Sequence, residues 1–198
     1  PNKVSLDCPR PLPQRKRFNE NLIDIGFVGV IRFETILNFV EEVKNKPHIN
    51  MHLFGIFSKE DEASKKIMDV AENCENIIYH GPFKNPSDLP SIYQKLDLVL
   101  CAYPPTPGVI YAEPNKLYEA IYFRCPIIVS EGAFLGEKVK RLDVGYVIDA
   151  TNSSSILKFI SSFSESDYKR KVDACESIPR SNCLNDNSAF FKEIKNLC

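Results

Sequence analysis

Between residues 22 and 150 the chain alternates short apolar runs with amphipathic stretches. The runs are LIDIGFVGVI (22–31), MHLFGIF (51–57), NIIYHGPF (76–83), LDLVLCAY (96–103), PIIVS (126–130) and VGYVID (144–149). Their continuous apolar character is that of strands covered on both faces. FETILNFVEEVKNK (33–46) and KEDEASKKIMDVAENC (59–74) have helical spacing. PSDLPSIYQKL (86–96) reads as a short helix, with proline tolerated in its first turn. Another helix follows the Pro114-Asn115-Lys116 turn, and EGAFLGEKVKRL (131–142) makes one more. Six strands alternating with helices imply parallel pairing through right-handed crossovers. The fold class expected is α/β, a Rossmann-like doubly wound parallel sheet of about six strands, followed by C-terminal helices. The tail beyond residue 150 predicts two or three helices, broken near Pro179 and Asn185.

Residues 1–20 stand apart. They carry Pro9, Pro11 and Pro13 and the basic run Arg15-Lys16-Arg17, and they predict an extended linker or interdomain arm. The run reads as a solvated face, with an anionic partner as the alternative. Residues 21–198 then form a single domain, since 198 residues suffice for one good core. The chain begins at Pro1 without a methionine, and the expectation is that it is a piece of a longer protein.

Composition narrows the function. A formal charge of −1 offers no general attraction to nucleic acid or to an anionic membrane. No apolar run reaches the ~18 residues that would span a bilayer. The seven cysteines (8, 74, 101, 125, 175, 183, 198) include no Cys-x-x-Cys pair, and the histidines (48, 52, 80) are dispersed. A reducing, cytoplasmic setting and no metal site are expected.

In doubly wound sheets ligands bind at the carboxyl ends of the strands. Gly29 and Arg32 follow the first strand. Glycine admits a close backbone approach and arginine can fork onto phosphate oxygens; a turn glycine and a surface arginine are the plain alternative. No Gly-x-Gly-x-x-Gly is present, which disfavours a dinucleotide. Gly55 and Gly81 recur at the next two strand exits, and Pro82 and Phe83 continue the third. After the fourth come Tyr103 and a long Pro-rich loop containing Gly108, of the kind that is more often functional than accidental. The amides of Asn115, Lys116 and Leu117 open a helix. With the helix dipole and the Lys116 charge they are expected to make a diphosphate site; Lys116 by itself would be a solvated lysine. Glu119, one turn on, either accepts hydrogen bonds from ribose hydroxyls or simply favours the helix dipole.

IGFVGVIR, NIIYHGPFKNPSDLPSIYQKLDLVLCAY and EPNKLYEAIYFRCPIIVSEGAFLGEKVKRLDVGYVID together resemble the carboxyl-terminal domain of two-domain nucleotide-sugar glycosyltransferases. The type is family 4, or glycosyl transferases group 1, and the likeness spans roughly residues 22–150. The resemblance implies a GT-B fold whose acceptor-binding amino-terminal domain lies outside this chain. It implies sugar transfer from a nucleotide diphosphate to a glycan or lipid-linked acceptor in bacterial surface polysaccharide synthesis. The setting would be cytoplasmic, with peripheral association at the inner face of the membrane, and no metal or other cofactor. By position Arg32 matches the family's basic residue, and Glu119 matches the second glutamate of its Glu-x7-Glu motif. Tyr111 occupies the place of the first glutamate, with Glu113 two residues later. The family's lysine after the first strand has no counterpart among Thr35, Ile36 and Leu37, a charge that Lys116 can supply. Tyr103, Gly108, Tyr111 and Glu113 are therefore expected on the donor-sugar side. Gly29, Arg32, Gly81, Pro82, Phe83, Asn115, Lys116, Leu117 and Glu119 are expected around the nucleotide. The catalytic groups remain unassigned, in part because the other domain would supply them.

Overall fold

The computed structural model describes residues 2–12, 18–19 and 21–186. Six strands, β1 (Ile23–Ile31), β2 (Ile49–Phe57), β3 (Ile77–Gly81), β4 (Leu98–Cys101), β5 (Ile127–Ser130) and β6 (Gly145–Ile148), form one sheet. Its order is β3-β2-β1-β4-β5-β6 and every adjacent pair is parallel. The order reverses between β1 and β4, which opens a crevice at their carboxyl ends.

The apolar runs lack alternation because both faces of the sheet are covered. Ile25, Phe27, Leu98, Leu100 and Ile128 pack on one side with helices α1 (Glu34–Val43) and α2 (Glu62–Asn73). Val28, Val99, Cys101, Ile127 and Val129 pack on the other with α3 (Leu89–Lys95), α4 (Asn115–Phe123) and α5 (Phe134–Leu142). The tail supplies α6 (Ser153–Ser162), α7 (Glu165–Ser177) and a 3-10 turn at Arg180–Cys183. Asp61, Asn152 and Ser164 cap α2, α6 and α7 with their side chains, each satisfying an otherwise orphaned amide. The break expected near Pro179 falls between α7 and the 3-10 turn. Residues beyond 186, and the Arg15-Lys16-Arg17 run, lie outside the described residues.

Two expectations change. Gly29 does not follow the first strand, and Gly55 is not at a strand exit. Both lie inside strands and pair with each other across β1 and β2. Their φ angles are +141° and +138°, and a Cβ on Gly55 would sit 1.8 Å from the Gly29 carbonyl oxygen. The close approach is between two backbones, not between backbone and ligand. The amino-terminal segment, secondly, is extended but not detached. Val4 and Cys8 are buried in the core. The Val4 amide donates to the Cys183 carbonyl at 2.9 Å, and the Asn185 amide donates to the Val4 carbonyl at 2.8 Å.

On the α3–α5 side, the far end of the sheet carries a polar chain that sequence spacing concealed. The Asn50 side chain donates to Asp24 Oδ1 at 2.8 Å. His52 Nε2 lies 2.9 Å from the same oxygen, and His52 Nδ1 lies 2.9 Å from His80 Nε2. The parallel pairing of β1 with β2, and of β2 with β3 through a register shift at Leu53/Phe54, brings these dispersed residues together.

Candidate functional site

The site is built on the first turns of α4. Pro114 ends the preceding loop in an extended conformation, and no side chain caps the helix. Its opening amides and dipole therefore face the crevice between β1 and β4, an arrangement suited to anions. The hydrophobic residues of α4 pack into the core, with Leu117 fully buried and its amide donating to the Pro114 carbonyl at 3.2 Å. Leu117 is thus a core residue with an occupied amide. It offers a ligand nothing, contrary to the reading that grouped it with Asn115 and Lys116.

Lys116 is the unusual member of this helix. It is only 9% exposed. Its ammonium donates to Tyr103 Oη at 3.2 Å and lies over the Phe27 and Tyr103 rings at 5.1 and 5.5 Å. A Cβ on Gly29 would lie 3.0 Å from Nζ, so the bare backbone of β1 makes room for the cation. Burial pulls the Lys116 pKa down. The Cys101 thiol, Tyr103 and Glu119 more than offset this and hold it above the ordinary value. Burial likewise pushes the Cys101 thiol up to about 11.

Glu119, one turn later, is 4% exposed. Tyr93 Oη donates to its Oε2 at 2.8 Å. Burial raises the carboxyl pKa, and the Tyr93 hydrogen bond and the Lys116 charge partly restore it. Among the described residues no hydrogen bond reaches its second oxygen, and the residue lines two adjoining cavities.

The smaller cavity, about 220 Å³, gathers Gly29, Phe83, Tyr103, Asn115, Lys116 and Glu119 from four separate stretches of chain. Asn85, which sequence reasoning passed over, lines it as well. A polar residue in the loop after β3 was the available signal. Tyr93 gave none, because nothing in the sequence links it to a glutamate 26 positions away. Arg32 is exposed beside this cavity. Its guanidinium lies 4.6 Å from the Phe33 ring, which in turn meets the Tyr103 ring at 5.5 Å. Phe33 holds φ at 80° as it leads into α1, a conformation that a bulky residue adopts only under constraint.

Other expected residues lie apart. Gly81 and Pro82 precede Phe83 but do not line the cavity. Gly108 has open space around it, and Tyr111 is 82% exposed. Glu113 is occupied by an ion pair with Lys138 and by the Tyr118 hydroxyl. Burial pushes the Glu113 pKa up, but these two partners overcome it and hold the carboxyl below its usual range. Among the described residues no three His, Cys, Asp or Glu side chains converge as metal ligands would. No helix among them is long and apolar enough to cross a membrane.

The profile of the glycosyl transferases group 1 family matches residues 11–176. The chain belongs to this family. Solved glycosyltransferases share the fold. The C-terminal domain of the group 1 family protein LpcC from Francisella tularensis is 21% identical with a TM-score of 0.59, over 87% of this chain and 94% of that one. HepE from Anabaena, solved with UDP and glucose, is 15% identical with a TM-score of 0.63, over 89% of this chain and 48% of its own. Sucrose-phosphate synthase from Thermosynechococcus elongatus is 14% identical with a TM-score of 0.64, over 100% of this chain and 50% of its own. The chain thus spans about half the length of the latter two proteins and nearly all of the first. No curated protein sequence matches it.

Family membership sharpens two departures. Thr35, in the region where the resemblance implied a lysine, is buried and donates its hydroxyl to the Ala102 carbonyl. It ties the start of α1 to the end of β4, a structural duty incompatible with a charged side chain. Glu113, the carboxylate two residues beyond the exposed Tyr111, is already paired with Lys138.

Proposed function

We propose that this chain is the donor-binding half of a glycosyltransferase that takes a nucleotide-diphosphate sugar. A glycan or lipid-linked acceptor is held by a preceding domain of the same protein, in the service of bacterial surface polysaccharide synthesis at the inner face of the cytoplasmic membrane. The observation that carries this reading is Lys116. Of the three donors on this buried ammonium, which sits over two aromatic faces beside an open helix start, only one is engaged among the described residues, by the Tyr103 phenol, and the others are left for an anion. A diphosphate supplies that anion. Lys116, the α4 amides and Arg32 then neutralise the charge that develops on the leaving diphosphate as the sugar departs, without a metal ion. Glu119 takes the ribose hydroxyls.

Isothermal titration with UDP, GDP and ADP in EDTA tests the site. One of them should bind without metal, and Lys116→Met, similar in shape but uncharged, should weaken it by a factor of ten to a hundred. That loss corresponds to about 1.5–3 kcal/mol, the worth of one charge-assisted contact. Undiminished binding by the variant would move the phosphate site elsewhere.

A second reading, a nucleotide-binding module without transferase activity, draws on the exposed Tyr111 and the occupied Glu113. Transfer by the longer protein to an added acceptor would dispose of it.

A further inference from the structure

Two cavities meet at Glu119. The smaller contains Lys116 and Tyr103; the larger, about 370 Å³, lies on the other side, and Asn85, Asn115 and Glu119 belong to both. Its outer wall is not made by the loops that follow the strands. Residues 3–7 and Asn185 make it, two segments almost a whole chain length apart.

These segments are fastened together, not draped over the surface. Hydrogen bonds run from the Val4 amide to the Cys183 carbonyl and from the Asn185 amide to the Val4 carbonyl. Val4, Cys8 and Cys183 are buried and anchor the clasp in the core. The Asp7 amide donates to Ser5 Oγ at 3.3 Å, turning the chain back toward Cys8. Lys3 reaches over the Tyr118 ring at 5.7 Å.

The chemistry of this second cavity differs from that of the first. It presents the amides of Asn85, Asn115 and Asn185, the apolar Leu89, and one cation, Lys3, against the two carboxylates of Asp7 and Glu119. Two carboxylates oppose a second phosphate. Side-chain amides carry both donors and acceptors, as the hydrogen-bonding edge of a neutral heterocycle requires. A diphosphate on Lys116, with its ribose at Glu119, leaves the base to continue past Glu119 into this space.

We infer that the clasp of residues 3–7 and Asn185 is a specificity-determining wall of a nucleoside subsite, selecting which base the site accepts. The inference rests on the reading of the Lys116 cavity as a diphosphate site. Asn185 and Asn85 address the base edge, and Leu89 gives it an apolar surface.

The test compares uridine, guanosine and adenosine diphosphates with inorganic pyrophosphate, by titration into the full chain. Ser5→Trp fills the cavity from an exposed position, and Asn185→Ala removes one amide; thermal melting checks that both variants fold. The preferred nucleoside diphosphate should bind Ser5→Trp at least tenfold more weakly, and Asn185→Ala should narrow the spread between bases. Pyrophosphate should bind both variants as it binds the parent. Unaltered nucleotide affinities and base ranking in folded variants would overturn the inference, as would losses that pyrophosphate shares. If the parent binds pyrophosphate but no nucleoside diphosphate more tightly, the clasp inference alone falls. If the parent binds neither, the diphosphate reading falls and takes the inference with it.

Discussion

Glu119 shows how one side chain can be both buried and available. Burial raises its carboxyl pKa above the ordinary value, so the folded state takes up a proton more readily than the unfolded chain. Stability linked to that proton is present at low pH and is lost as the pH rises through the folded-state value. At neutral pH the ionised carboxylate is therefore a cost to the fold, relieved in part by the Tyr93 hydroxyl. Glu119→Gln removes the charge while keeping an acceptor for Tyr93. Its melting temperature at pH 7 should hold or rise, while affinity for a ribose nucleotide falls roughly 10- to 100-fold, about 1.5–3 kcal/mol. A 2′,3′-dideoxy nucleotide should bind weakly to both forms. Scanning calorimetry beside titration decides the matter: a collapsed melting temperature would make Glu119 a structural residue.

At the scale of elements, the crevice depends on how closely β1 and β2 approach. Gly29 and Gly55 face each other in register, and any side chain on Gly55 meets the Gly29 carbonyl. Displacing that carbonyl shifts the strand whose bare Gly29 leaves room for the Lys116 ammonium. Gly55→Ala should therefore cost stability on the order of 3 kcal/mol or more, the range of strained or overpacked core positions. Gly108→Ala, in open space with ordinary φ, should fall within about 0.5 kcal/mol of the parent. Urea denaturation of the pair measures the contrast, and a mild effect at Gly55 would mean that the sheet yields there.

At the scale of the whole molecule, the described residues bury a core on both faces of the sheet. This chain should fold alone. Yet a transfer reaction must hold donor and acceptor together while excluding water, and the second wall of the crevice is proposed to come from the acceptor-binding domain. Incubated with a nucleotide sugar and an added acceptor, the chain by itself should bind the donor and form no glycosylated product. Turnover approaching that of ordinary transferases, above about 1 s⁻¹, would show that the second wall is dispensable.

Local patterning alone determined the order of strands and helices, because a strand covered on both faces must be continuously apolar and a helix must repeat with its own period. It also marked the Pro-Asn-Lys helix start with Lys116 and Glu119, since the rule that places ligands at strand ends needs only the order of elements. The expected strand boundaries ran one or two residues long where flanking loops are apolar, as at Tyr103. What tertiary structure decided was every relation between distant residues. Tyr93 reaches Glu119 and Thr35 reaches Ala102, while Glu113 is drawn away to Lys138. Gly55 faces a backbone instead of a ligand, and residues 3–7, expected within an extended linker or interdomain arm, close against Asn185. Periodicity reports which face of an element is covered. Which partner covers it depends on strand order and register, set by packing the whole chain at once.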